Sequence, residues 1–291
     1  MNTSRGNGAQ PRCNAMTVDV EDYFQVSAFE SAVSRSDWDD MPGRVEANVD
    51  RILSLFDGAG VKATFFTLGC VASRHPDMVR RIVAQGHELA SHGWSHVRVT
   101  QQDRSEFGED IRRTRATLED IGGCAVQGYR AASYSIGAAN LWALDELADA
   151  GYRYSSSIVP IHHDLYGMPE APRFPFAAAG GRLLEIPVST VTIARRNFNC
   201  GGGGWFRLYP YLLSRWCLRR INDVEGESGN FYFHPWEIDP GQPRIEGASA
   251  RARFRHYLNL QRMESRLQRL LRDFSWDRVD RVYPIENGPG V

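Results

Sequence analysis

Two histidines four residues apart, His92 and His96 of SHGWSH, follow the apolar run HELA, and three carboxylates in four residues, Asp19, Glu21 and Asp22 of DVEDYF, follow another. One turn of helix or a tight helical loop sets both imidazoles on one side, at the separation two ligands of one divalent ion require. Histidines alone are as readily satisfied by ordinary hydrogen bonds, so the pair does not decide the matter. The acids add to it. Grouped at the buried end of a strand, they repel one another unless a cation neutralises them or one carboxyl stays protonated. A divalent ion held by His92, His96 and one acid resolves that conflict; the plainer alternative is a turn capped by acids. On an extended strand Asp19 and Glu21 share one side and Asp22 takes the other, but a bulge at the strand end would change which acid reaches the ion.

The elements that must position these groups read as βα units around a parallel sheet. Ala15 to Val20 reads as a first buried strand, Lys62 to Gly69 as a second, and His87 to His92 as a third ending in the polar cluster. Between them Val45 to Gly60 and His75 to Gly86 carry helical periodicity, the latter with Pro76 in its first turn and both with glycine at the stop. A charged helix is predicted from about Ser105 to Ile121, a strand at AVQGYRA, a helix at Ala138 to Gly151, and strands at Leu183 to Val188 and Asn230 to Pro235. Each strand delivers polar residues at its C-terminal end, the rim where parallel α/β folds assemble sites. The stretch RARFRHYLNLQRMESRLQRLLRDF is predicted to be one long helix. Its arginines could form a basic face for an acidic polymer or a membrane, although a core stripe beside a solvated face is the preferred reading.

The 291 residues are 42% hydrophobic and 24% charged, which excludes disorder and fibre. A net charge of −1 gives no field to draw in nucleic acid, and Lys62 is the one lysine among 34 basic residues. Five cysteines at wide spacings, with no CxxC pair, argue against a disulfide framework. With no signal-like or membrane-spanning run, the expectation is a soluble cytoplasmic protein: a disordered lead over 1–13, then a single domain over 14–291.

From Thr17 to His234 the chain resembles the NodB-type polysaccharide deacetylases, carbohydrate esterase family 4. The resemblance rests on TVDVED, a stretched form of the family's acidic pair; on GHELASHGWSH; on Arg130-Ala131-Ala132, where the family has Arg-x-Pro; and on FYFHPW. It implies a distorted (β/α) barrel and one divalent ion, most simply zinc. It further implies Asp19 as general base and Asp22 as the acidic ligand beside His92 and His96, with Glu21 as the alternative ligand. Arg130 would orient Asp19, a backbone amide near Ser133 would face the oxyanion, and His234 would protonate the departing amine. The tryptophan-bearing fourth motif is not evident, although Glu185 of LLEIPVS stands at a suitable place in chain order. DVEDYFQVSAF, HDLYG, CGGGGWFRL and FHPWEIDP resemble the subgroup found with exopolysaccharide-assembly loci, which carries a C-terminal extension from about residue 235. The implied partner is an N-acetylated amino-sugar polymer or its precursor, with association to a membrane polysaccharide-assembly complex as a further expectation.

Trp94 and Trp236 could stack on a sugar ring or simply be core, and Trp205 and Phe206 could close over a sugar on the Gly201–Gly204 loop, which lacks the ending of a phosphate loop and could as well be a plain surface loop. His162 and His163 before Asp164 could line a subsite or a second metal position, a plainer role being preferred. Two other functions stay open: hydrolysis of another C–N bond, as in cyclic-amide hydrolases of this fold, and a catalytically silent glycan-binding protein.

Overall fold

A computed structural model describes residues 12–163 and 166–285. In chain order its strands are β1 (Cys13–Val20), β2 (Thr64–Thr67), β3 (Glu88–Ser91), β4 (Gly128–Tyr129), β5 (Tyr154–Ser155), β6 (Phe176–Ala178), β7 (Leu183–Glu185), β8 (Thr190–Ile193), β9 (Arg196–Asn199), β10 (Asn230–Phe233) and β11 (Ser275–Asp277). The helices are α1 (Val45–Ala59), α2 (Gly69–Arg74), α3 (Pro76–Ala84), α4 (Arg104–Gly122), α5 (Trp142–Asp149), α6 (Gly203–Leu208), α7 (Tyr211–Arg219), α8 (Ala250–Tyr257), α9 (Leu260–Asp273) and α10 (Val279–Val282).

The main sheet runs β10-β1-β2-β3-β4-β5-β7-β6, parallel except for the β6–β7 pair. It curls into the expected distorted (β/α) barrel. Between β7 and β10 the gap is spanned by irregular hydrogen bonds: the Ser189 amide donates to the Asn230 carbonyl at 3.2 Å, and the Asn230 amide donates to the Ser189 hydroxyl at 2.7 Å. Strands buried on both faces read as apolar runs because helices cover the outside. Val49, Ile52, Leu53 and Phe56 of α1, on one face as their spacing requires, pack in the same core as Val18, Val20 and Phe65. A smaller cluster containing Ala15, Phe66, Ala90, Tyr154 and Ile186 is joined by Val279 and Tyr283 from the C-terminal end of the chain.

Several expectations change. Gly69 to Arg74 forms a helix of its own, which the sequence reading missed, while β4 keeps only two residues of AVQGYRA. The long C-terminal helix is broken into α8 and α9 at Asn259, whose φ of 53° no continuous helix can accommodate. Residues beyond 235 return to the barrel: β11 pairs with the first residues of β1 and α10 follows. Of the expected lead, residues 1–11 lie outside the described residues and Cys13 already belongs to β1.

Candidate functional site

The C-terminal ends of β1, β3 and β10 meet at one cleft of about 230 Å³. Its lining includes Asp19, Glu21, His92, His96, Ser133 and His234. The strand alternation of β1 continues past its last residue, so Asp19 and Glu21 both face this cleft. Asp22 points the other way. Its Oδ2 accepts from the amides of Arg44 (2.6 Å) and Val45 (3.0 Å), capping the start of α1 from a distant part of the chain, and its Oδ1 accepts from the Tyr23 amide. The acid beside the histidines is therefore Glu21, and the expected Asp22 position is corrected: all of these bonds hold Asp22 at the helix end.

Glu21, His92 and His96 offer ligand atoms that all lie within 4.8 Å of one another. Glu21 Oε2 is 3.0 Å from His96 Nε2, yet both Oε2 and His96 Nδ1 lack a hydrogen bond. His92 Nδ1 lies 2.8 Å from the Arg130 carbonyl, which can only accept; Nδ1 carries the proton and Nε2 is left with its lone pair. Burial, reinforced by His92 and His234, holds His96 well below the usual histidine range, and burial lowers His92 against the pull of Asp19. Burial also pushes the Glu21 carboxyl up to about 7, against the opposing pull of His234. Two neutral imidazoles and a desolvated carboxylate with an unsatisfied oxygen fit one divalent cation, whose charge would stabilise the ionised acid.

Asp19 sits beside this triad. Arg130, fully buried, donates from Nη1 to Asp19 Oδ1 (2.6 Å) and to the Thr17 hydroxyl (2.7 Å), and bonds the Ser156 carbonyl and hydroxyl through Nε and Nη2. Glu185 acts one step further back: its Oε1 accepts from the Ser157 and Ile158 amides, fixing the turn that holds Arg130. The Tyr134 hydroxyl lies 3.4 Å from Asp19 Oδ2. Where the family motif has proline stands Ala132, and the turn passes through two left-handed residues, Ser133 and Tyr134, each with φ of 53°. The Ser133 side chain reaches the cleft and lies 2.5 Å from the Ser27 hydroxyl.

His234 Nε2 faces the acids, 3.4 Å from Glu21 Oε1 and 4.0 Å from Asp19 Oδ2. Behind it, Nδ1 donates to Glu237 Oε1 at 2.8 Å, and Glu237 Oε2 accepts from Arg207 Nε at 2.6 Å. Burial lowers the imidazole, but Glu21 and Glu237 outweigh it and raise His234 to about 9. Glu237 itself is pulled down to about 2: Arg207 and His234 overcome its burial. Sequence reading missed Glu237 and Arg207; the signal was the three-residue step from His234 to Glu237 in HPWE. Gly203 is where it is because a Cβ there would stand 2.2 Å from Glu237 Oε1. The glycine tract thus packs behind the dyad, with Phe206 buried in the core and unable to close over a ligand.

The other aromatic expectations also change. Trp94 lies outside the cleft lining, its ring over Gly69 on one side and under the Arg113 guanidinium, 3.4 Å from the ring centre, on the other. Trp236 does border the cleft, but its faces are taken by His234 (5.0 Å) and His256 (4.0 Å), so no sugar can stack there; its Nε1 donates to Glu21 Oε1 at 3.3 Å. Tyr134, Tyr166 and Tyr232 line the cleft instead. His162 is exposed, His163 stacks on Tyr166, and Asp164, the acid of the proposed second cluster, lies outside the described residues.

The segment between β1 and α1 clamps both walls. Besides the Ser27–Ser133 contact, Arg35 donates from Nε to the Ser95 carbonyl (2.9 Å) and from Nη2 to the His96 carbonyl (3.0 Å). His96 is itself left-handed, with φ of 54°, so Arg35 holds a residue whose backbone would otherwise favour another conformation. Glu30 ties Arg35 to Arg98 on the cleft rim.

A β/α barrel carries a two-histidine, one-carboxylate cluster that could hold a metal ion, beside an arginine-held acid. Residues 33–155 match the polysaccharide deacetylase family, and residues 156–284 match a domain of unknown function, DUF3473. Over residues 33–155, somewhat under half of its length, the chain is thus similar to the polysaccharide deacetylases, the family that its motifs resemble. The DUF3473 match begins at residue 156, far ahead of 235, and contains His234, Glu237, Arg207 and the residues that close the barrel. A chitooligosaccharide deacetylase of Rhizobium leguminosarum bv. trifolii is 34% identical over 115 residues, 38% of this chain and 48% of that protein. The Listeria monocytogenes peptidoglycan-N-acetylglucosamine deacetylase PgdA is 35% identical over 69 residues, 24% of this chain and 15% of its own length. The chain thus spans less than half the length of these relatives. A Mycobacterium smegmatis protein solved as a candidate polysaccharide deacetylase shares the fold with a TM-score of 0.63 at 20% identity, covering 94% of this chain and 90% of that one. Puue allantoinase shares it at 0.55 and 16%, covering 93% and 88%.

Proposed function

We propose that the chain hydrolyses the N-acetyl group of an amino-sugar polysaccharide or its precursor, in the assembly of an exopolysaccharide. The observation that carries this reading is the convergence, in one cleft, of the Glu21–His92–His96 cluster with two opposed proton-transfer groups, Asp19 with Arg130 and His234 with Glu237.

Glu21, His92 and His96 would hold a divalent ion, most simply zinc, which when bound would supply Lewis acidity toward the acetamide carbonyl. Asp19, aimed by Arg130, takes a proton from the attacking water as the water oxygen bonds to the carbonyl carbon. His234, protonated at neutral pH, delivers its Nε2 proton to the nitrogen as the C–N bond breaks, leaving acetate and an amine. Glu237 fixes the tautomer and stabilises the imidazolium, and the Ser133 turn brings backbone amide dipoles to the wall where the oxyanion develops. The tyrosines of the cleft offer apolar faces and hydroxyls to a neutral sugar.

Acetate release from a panel of N-acetylated amino-sugar oligomers, measured with zinc-loaded protein, tests the proposal. Release that is lost in Asp19→Asn supports it. Ring opening of a cyclic ureide without acetate release, or tight oligomer binding with no product, would replace it with one of the two other functions.

A further inference from the structure

Away from the cleft, the surface around α7 carries exposed apolar side chains bordered by arginines. On α7 the side chains of Tyr211, Ser214, Cys217 and Leu218 turn inward, whereas Leu212 is 69% exposed, Trp216 44% and Leu213 38%. Just before α7, Leu208 is 47% exposed. Cys217 packs with Cys200, Val191 and Ile221, which seats the β8–β9 hairpin against this helix. Phe198, on the same side of β9 as Cys200, is 43% exposed and extends the apolar surface onto the hairpin. Exposed apolar groups that adjoin one another in this way mark an interaction surface.

Charge identifies what covers it. Between residues 186 and 222 there are six arginines and no aspartate or glutamate, in a chain of net charge −1. Among the described residues no ion pair is recorded for Arg195, Arg196 or Arg219. On the opposite border, Arg269 of α9 lies over the Tyr211 ring, 4.2 Å from its centre, and carries the basic margin onto the neighbouring helix. The hairpin turn itself, Ala194 and Arg195 with φ of 48° and 65°, presents the two adjacent arginines at its tip. Arg207, Arg215 and Arg220 of this stretch are paired with Glu237, Asp273 and Glu225, which leaves Arg195, Arg196 and Arg219 as the basic groups beside exposed leucines and a tryptophan, the composition of an interfacial surface on an anionic bilayer. A symmetric contact with a second copy would set arginines against arginines.

We infer that the α7 face and the β8–β9 hairpin dock the chain peripherally onto an anionic lipid surface, Leu212, Leu213 and Trp216 entering the interface while Arg195, Arg196 and Arg219 meet the phosphates. No helix among the described residues is long and apolar enough to span a bilayer, and the docking is peripheral. The inference does not depend on the chemistry assigned to the cleft, because its test reads binding alone.

The test is co-sedimentation of the full chain with phosphatidylcholine vesicles, with and without about 30% phosphatidylglycerol. Binding is expected to the anionic vesicles only and to weaken as salt is raised. Leu212→Glu with Trp216→Glu should reduce it at least tenfold, and Arg195→Gln with Arg219→Gln by about twenty-fivefold, roughly fivefold per arginine, while melting temperatures stay unchanged. No anionic-vesicle binding, equal binding to neutral vesicles, or undiminished binding by the Leu212–Trp216 variant would overturn the inference. Light scattering that shows a dimer dissolved by that same variant, without vesicle binding, would assign the face to a second copy instead.

Discussion

Replacing Glu237 by glutamine removes one of the three carboxylates, with Glu21 and Asp19, that keep His234 charged. In the native chain burial alone would push the imidazole below 6.5; Glu21 and Glu237 reverse this and hold it at about 9. Glutamine retains an oxygen able to accept from Nδ1 at the 2.8 Å position but carries no charge. Loss of a directly bonded opposite charge lowers a histidine by about 1–2 units, or about 1.4–2.7 kcal/mol of imidazolium stabilisation. The required form is the acid, so activity is retained below the pKa and lost as pH rises through it. The alkaline limb of kcat should therefore move down by about 1–2 units in the variant. At pH 6 the variant should work nearly as well as the native chain, and at pH 8.5 roughly tenfold worse. Stability follows the same sign: a histidine raised in the folded state stabilises it fully below about 6.5, and that contribution disappears as pH passes about 9. The assay is acetate release across pH 5–10, with thermal melts in the same buffers. An alkaline limb that does not move, or a uniform loss at every pH, would refute the acid role given to His234.

Adjacent acids should separate cleanly: Glu21→Gln is expected to lose bound metal with little change in melting, while Asp22→Ala keeps the metal and loses about 1–2 kcal/mol, a few degrees of melting temperature, with its cap on α1. Elemental analysis and calorimetry on the two proteins decide this. Arg35→Ala should weaken zinc binding about 10–100-fold in a chelator competition, because the His96 loop loses two hydrogen bonds; an unchanged affinity would show that the loop holds its left-handed turn unaided. Arg130→Met leaves Asp19 buried without its partner and should cost about 3–5 kcal/mol in denaturant unfolding, whereas a loss below about 1 kcal/mol would mean that Thr17 and Tyr134 suffice.

The histidines and the acidic strand end were legible in the sequence because their spacing and apolar lead-ins are local features. Period-two alternation placed Asp19 and Glu21 on one side of β1, and the structure keeps that alternation; the family's acidic-pair pattern pointed to Asp22 instead. Nothing near Asp22 in the chain reveals that its partners are the amides of Arg44 and Val45, a tertiary contact. Trp94 and Trp236 were read as sugar stackers or core, and their ring faces instead meet Arg113 and, for Trp236, the nearby His234 and the distant His256. Arg35 carried no signal, since its bonds go to backbone carbonyls 60 and 61 residues away. The break at Asn259 was hidden because helical periodicity continues across it, and only the left-handed backbone interrupts the helix.

The account depends most on where a divalent ion sits. Anomalous diffraction at the zinc edge from crystals of the zinc-loaded chain measures this directly. A single peak is predicted about 2.0–2.2 Å from Glu21, His92 Nε2 and a His96 ring nitrogen, beside Asp19 and His234. A peak at Asp22, or full zinc occupancy elsewhere on the chain with none between the two histidines, would contradict it.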